Sequence, residues 1–171
     1  MQISAEEIGQ LIQPLLDENN LILCEIRISG SQRQPLIQIF IDRMNGSVSI
    51  DDCAIISRPA MDLLDLSEKI LSNYQLEISS PGIDYPMKEL WQFRKNIGRS
   101  ISSKILGNLE GSNNEYLTGK ILNISDEGLI EVQIESEIAT YTVDDLAGAK
   151  VVIETVKKKK TKRKRNETRR R

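Results

Sequence analysis

The side chains best suited to chemistry fall into a few short groups. Three acid pairs, Glu6-Glu7, Asp51-Asp52 and Asp144-Asp145, could share a divalent cation through their carboxylate oxygens. Cys24 and Cys53 could supply thiolates, and Asp84 follows a Ser-Pro-Gly turn. Histidine is absent from all 171 residues. Its absence removes the usual general base, the usual partner of a serine or cysteine nucleophile, and the commonest metal ligand. Hydrolase chemistry is therefore disfavoured, and no catalytic residue, metal site, cofactor or small-molecule substrate is expected.

Each group also has a structural use. Glu6-Glu7 and Asp51-Asp52 sit where helices should begin, and the positive end of the helix dipole favours acids there. The cysteines lie in apolar stretches without a CxxC pair, which suits buried free thiols. Asp84 reads as an Asx-turn acceptor with no second carboxylate for acid-base work. Gly107 to Gly111 lacks the Gly-Lys-Ser/Thr of a phosphate loop and reads as a hairpin loop.

Charge is divided along the chain. Residues 157–171 hold 11 Lys and Arg against Glu167, a balance of +10. Residues 1–156 hold 12 basic and 24 acidic residues, a balance of −12, and the two sum to the net −2. An acidic body with a basic, phosphate-binding tail follows, and that tail has too little apolar content to order by itself. A merely solvated tail and nuclear targeting are the competing readings of such a run. No window approaches the roughly 18 apolar residues of a membrane helix, and the acidic start differs from a signal peptide, so a cytoplasmic protein is expected. Aromatics, at 4%, are too few for a stacking platform.

The elements that must position these groups can be read from periodicity. Ser4 and Glu7 form a capping box before Ile8, Leu11, Ile12, Leu15 and Leu16, which recur at helical spacing across Pro14. Ile22, Cys24, Ile26 and Ile28 alternate, as do Ile37, Ile39 and Ile41, predicting an antiparallel hairpin turning between Gly30 and Pro35. Ser49 and Asp52 open a second helix over about 50–64, kinked at Arg58-Pro59. A strand from Tyr74 to Ser79 completes α-β-β-α-β, three strands with two helices on one face. This order resembles RNA-binding KH modules, but no two glycines are three apart, so the GxxG clamp is missing.

Ser80 to Pro86 reads as a rigid joint in which Gly82 supplies positive φ. Leu90, Phe93 and Ile97 then predict a short helix stopped by Gly98. Beyond it the period is all-β: 101–106, 116–124, 129–135, 138–143 and 150–155 are short strands, suggesting a small SH3-like barrel. The fold class is thus α+β: an N-terminal α-β-β-α-β domain over 1–82, a junction and short helix over 83–99, the barrel over 100–156, and a disordered basic tail over 157–171.

At the junction the chain reads Leu76-Glu77-Ile78-Ser79-Ser80-Pro81-Gly82-Ile83-Asp84-Tyr85-Pro86, followed by Phe93-Arg94 and Ile97-Gly98-Arg99. This ordered string resembles the interdomain signature of the RimP family of ribosome maturation factors, a strand, then S-S-P-G-hydrophobic-D-R-P, a phenylalanine and a G-R pair. Val48 to Cys53 is similar to the family's start of helix two. The resemblance spans roughly residues 3–154, and Ser79, Ser80, Pro81, Gly82, Asp84, Pro86, Phe93 and Gly98 carry the motif. Tyr85 stands where the family commonly has arginine, so no phosphate or carboxylate contact of that arginine carries over.

The resemblance implies a non-enzymatic factor that binds the immature small ribosomal subunit through ribosomal RNA and a ribosomal protein; a monomer is expected. A general RNA-binding or chaperone protein driven by its tail is the alternative. Candidate phosphate contacts are Arg94, Lys95, Arg99 and Lys104 after the junction. In the tail they are Lys157, Lys158, Lys159, Lys160, Lys162, Arg163, Lys164, Arg165, Arg169, Arg170 and Arg171.

Overall fold

The computed structural model describes residues 3–31, 33–67, 69, 73–104, 116–146 and 148–153. Helix α1 (Ala5–Glu18) starts on the expected capping box: Ser4 Oγ accepts from the Glu7 amide at 3.1 Å, and the Glu7 carboxylate accepts from the Ser4 amide at 2.8 Å. Ile8, Ile12 and Leu16 form its fully buried stripe, while Leu11 and Leu15 flank it, partly buried. Pro14 lies within the helix.

Strands β1 (Ile22–Ser31) and β2 (Gln34–Asp42) form an antiparallel hairpin, and β3 (Gln75–Ser79) adds parallel to β2 in the order β1-β2-β3. A parallel return needs a crossover, and α2 (Ile50–Leu66) provides it. Ser49 and Asp52 cap α2 with a second capping box. Central β2 buries Ile37, Ile39 and Ile41 completely, against Ile8, Ile12 and Leu16 of α1 and Ile56, Ala60 and Leu64 of α2.

The expected alternation along β1 is broken. Leu23 pairs with Ile41 and Glu25 with Phe40, so Cys24 is the extra residue of a β-bulge. A one-residue insertion flips the faces on either side, so Leu23, and not Ile22 or Cys24, joins Ile26 against the core. Cys24 and Cys53 are free and only partly buried, where buried thiols were expected.

The second part of the chain has its own core. Helix α3 (Leu90–Lys95) precedes β4 (Ser100–Lys104), β5 (Tyr116–Ile124), β6 (Ile130–Ile134), β7 (Glu137–Tyr141) and β8 (Lys150–Val151). These strands make one antiparallel sheet in the order β7-β6-β5-β4-β8, with β7 and β8 as open edges. Ile101, Leu117, Ile121, Ile130, Val132 and Tyr141 bury one face under Phe93 and Met87. Gly119 is needed there, since a Cβ would lie 2.6 Å from both Gln133 O and Val132 Cγ1. Gly98, at φ +85, ends the α3 turn and donates its amide to Ile121 O at 2.8 Å. Ile97, expected on the buried face of α3, lies beyond its last turn and is exposed. Leu106, the 107–111 loop and the tail fall outside the described residues. Among the described residues, no helix is long and apolar enough to cross a membrane.

Candidate interaction site at the junction

Residues 80–88 run from β3 to α3 and touch both cores. The main chain turns at Gly82, whose carbonyl accepts from the Tyr85 amide at 2.9 Å. Two expectations are corrected here. Gly82 does not have positive φ, and a Cβ on it would meet nothing within 4 Å. Asp84 is exposed, and among the described residues its carboxylate accepts no hydrogen bond; the main chain closes the turn that an Asx side chain was expected to close.

Tyr85 reaches back to the first sheet. Its hydroxyl donates to Cys24 O at 3.2 Å, the carbonyl of the bulged residue, which lies outside the regular ladder and can take an outside donor. Burial, then the neighbouring Glu25 carboxylate, push the Tyr85 phenol up to about 12. Glu25 itself is held below the usual carboxylate range, chiefly by the bidentate Arg27 guanidinium at 2.7 and 2.9 Å. Arg27 stacks 4.8 Å over the Phe40 ring, and the Lys88 ammonium lies 5.8 Å from the Tyr85 ring centroid. Two residues on, Met87 is buried in the second core and donates its amide to Ala149 O at 2.8 Å. Tyr85 and Met87 thus fasten one short segment to both parts, with the fixed φ of Pro86 between them.

A second tie runs through α3. Lys95 Nζ donates to Asp42 Oδ1 at 2.5 Å and to Arg43 O at 3.3 Å, joining α3 to the end of β2. Arg43 in turn pairs with Asp52 Oδ1 at 2.5 Å. Gln92 Oε1 accepts from the Lys88 and Glu89 amides at 2.5 and 2.9 Å, fixing the start of α3. Asn96 donates to Gln92 O and accepts from Arg99 Nη1 at 3.1 Å. Between these ties lies a cleft of about 260 Å³ whose walls include Ser80, Pro81, Gly82, Tyr85, Lys95 and Arg99. Its volume lies just below the usual range for small-ligand pockets.

The expected basic residues separate. Lys95 is spent on Asp42, Arg94 is exposed on α3, Arg99 lines the cleft, and Lys104 lies exposed on β4. Phe93 is fully buried core, and Ser79 ends β3 opposite Phe40. The tail lysines and arginines lie outside the described residues. Sequence reasoning missed the ties from Tyr85 and Lys95, whose partners lie 61 and 53 residues away with no local signal.

The surroundings offer little for covalent chemistry. Burial, then Asp42, push the Cys24 thiol up to about 12, so it carries no thiolate at neutral pH. Asp52 is held down to about 2, first by Arg43 and then by the Ser49 amide. No cluster of three or more His, Cys, Asp or Glu suited to a metal occurs among the described residues. Comparison with protein-family models adds the remaining observation. Residues 11–84 match the model described as the RimP N-terminal domain, from the middle of α1, through the first sheet, into the turn at Asp84. That match, together with the motif it runs into, supports placing the chain with the RimP family of ribosome maturation factors.

Proposed function

We propose that this protein is a non-catalytic assembly factor of the small ribosomal subunit, which docks on the immature particle through ribosomal RNA and a ribosomal protein and leaves when maturation is complete. The match over residues 11–84 carries the reading. In it, residues 1–82 and 100–156 are two domains, the second an SH3-like barrel, joined rigidly by the 83–99 segment. The protein works as a cytoplasmic monomer, and the motif from Ser79 to Gly98 sets the angle at which the two domains meet the particle. The +10 tail adds sequence-independent affinity for phosphates, which releases counterions and falls steeply with salt.

That tail favours the second reading, a general RNA binder in which the folded part is only a scaffold. Cosedimentation of full-length protein and a 1–156 truncation with small subunits, large subunits and assembled ribosomes, at two salt concentrations, separates the two. Retention of both forms by free small subunits alone is the expected result. Equal binding to every particle, lost on truncation, would overturn the assembly-factor reading.

A further inference from the structure

Strands β4, β5 and β8 carry an unusual charge pattern. Directly opposed residues share a face of a sheet, so the pairings define what points outward. Lys104 faces Tyr116, Ser102 faces Thr118 on one side and Lys150 on the other, and Lys120 faces Ser100. The alternate residues Ile101, Ser103, Leu117 and Ile121 are buried, which fixes Lys104, Lys120 and Lys150 on the solvent side, where all three are exposed. Neither aspartate nor glutamate occurs in these three strands, although residues 1–156 carry twice as many acids as bases. Glu131, one strand away on β6 opposite Asn123, is the nearest acid in the pairing scheme.

We infer that this face is a binding site for single-stranded RNA. Strand geometry puts the Lys104 and Lys150 Cα atoms about 8 Å apart and those of Lys120 and Lys150 about 12 Å apart, so flexible stems can follow successive phosphates. Tyr116 stands in the same row as Lys104 and is 67% exposed, which leaves much of its ring open to solvent. An exposed ring beside ammonium groups, with the hydroxyls of Ser102 and Thr118 in the next row, suits an unpaired base on a charged backbone. An acidic peptide would use the lysines but not the ring, and a duplex would keep its bases from Tyr116. This inference rests on the reading that the protein works on an RNA-containing particle, and it locates a contact on the folded part.

The test is fluorescence anisotropy of a labelled, unstructured RNA oligonucleotide with full-length protein across a salt series. Lys104→Gln/Lys120→Gln/Lys150→Gln should weaken binding and flatten the slope of log K against log salt by about 2, as three lost single-strand phosphate contacts require. Arg33→Gln/Arg58→Gln, exposed on the other part of the chain, should leave the slope unchanged. Tyr116→Ala should weaken binding roughly fivefold or more at an unchanged slope, with Tyr116→Phe restoring it. An unaltered slope in the triple variant would overturn the proposal, since the tail would then carry all the binding. Equal affinity for duplex RNA, or an unchanged affinity in Tyr116→Ala, would overturn its single-strand assignment. Because the probe is free RNA, the face can hold while cosedimentation with small subunits fails, and the reverse.

Discussion

Severing the Lys95–Asp42 pair tests whether the junction holds the two cores as the geometry implies. The two side chains are 19% and 18% exposed, and Lys95 also donates to Arg43 O. An exposed ion pair contributes about 0–1 kcal/mol, whereas a hydrogen bond to a charged group out of water contributes about 1.5–3 kcal/mol. Lys95→Met strips Asp42 of its cation, but the carboxylate keeps the Arg43 amide at 2.8 Å, so the cost falls short of that for a fully orphaned buried charge. We expect a loss of about 2 kcal/mol for Lys95→Met, about 1 kcal/mol for Asp42→Asn, and a coupling energy of about 1–2 kcal/mol in the double-mutant cycle.

Urea unfolding followed by two probes reads this directly. Trp91 is the only tryptophan and lies in α3, one turn from Lys95, so its fluorescence reports α3, which carries Phe93 of the second core, while far-UV circular dichroism weights the helices of the first. The wild-type transitions should coincide and those of Lys95→Met should separate, because the pair is one of the ties between the cores among the described residues. A coupling energy below about 0.3 kcal/mol with coincident transitions in every variant would refute the reasoning, since additivity at that level is what independent residues show.

Tyr85→Phe removes the donor to the bulge carbonyl and should cost about 1 kcal/mol in denaturant midpoint, with the two probes again diverging. Gly119→Ala places a methyl group 2.6 Å from Gln133 O and should cost about 2–3 kcal/mol, lowering the melting temperature by several degrees; an unchanged melting temperature would contradict the close approach of β5 and β6. Asp52 titrates near 2 in the fold against its usual 3.8, so its contribution is present above about pH 4 and is lost as pH falls through 2. Asp52→Asn should lower stability at neutral pH and flatten the melting temperature between pH 4 and 2, with Glu7 supplying the acid sensitivity that remains.

The parts of the fold that were legible in the sequence are those set by local rules. Ser4/Glu7 and Ser49/Asp52 announce helix starts because both partners of each capping box lie within four residues, and Ile37, Ile39 and Ile41 reveal their strand by period alone. The bulge at Cys24 was illegible because an inserted residue changes which face each neighbour takes without changing composition. At the candidate site the motif located the joint but misassigned its parts. Gly82 was rightly read as part of a turn but wrongly given positive φ from its type, and Lys95 was read as a free cation from its charge, whereas a φ angle and a partner 53 residues away decide these points. Lys120 and Lys150 escaped notice because only strand pairing brings them onto one face with Lys104.

The acid pairs that could have shared a cation are better explained by what holds them. General acid chemistry at neutral pH needs a carboxyl whose pKa is raised by burial or by a second carboxylate. Among the described residues every carboxylate with a displaced pKa is displaced downward. Lys69 and the Ser4 amide act on Glu7, Arg27 on Glu25, Arg43 and Ser49 on Asp52, and the Thr142 hydroxyl and amide on Asp145. Each is therefore fixed in its ionised form by a cation or a turn amide and is a poor proton donor at any pH the cell reaches. In each expected pair, one member closes a capping box or a Thr-x-x-Asp turn. These four anions are committed to helix starts, turns and ion pairs and so set the architecture of the fold, whereas the exposed lysines of β4, β5 and β8 have no acid on their own strands.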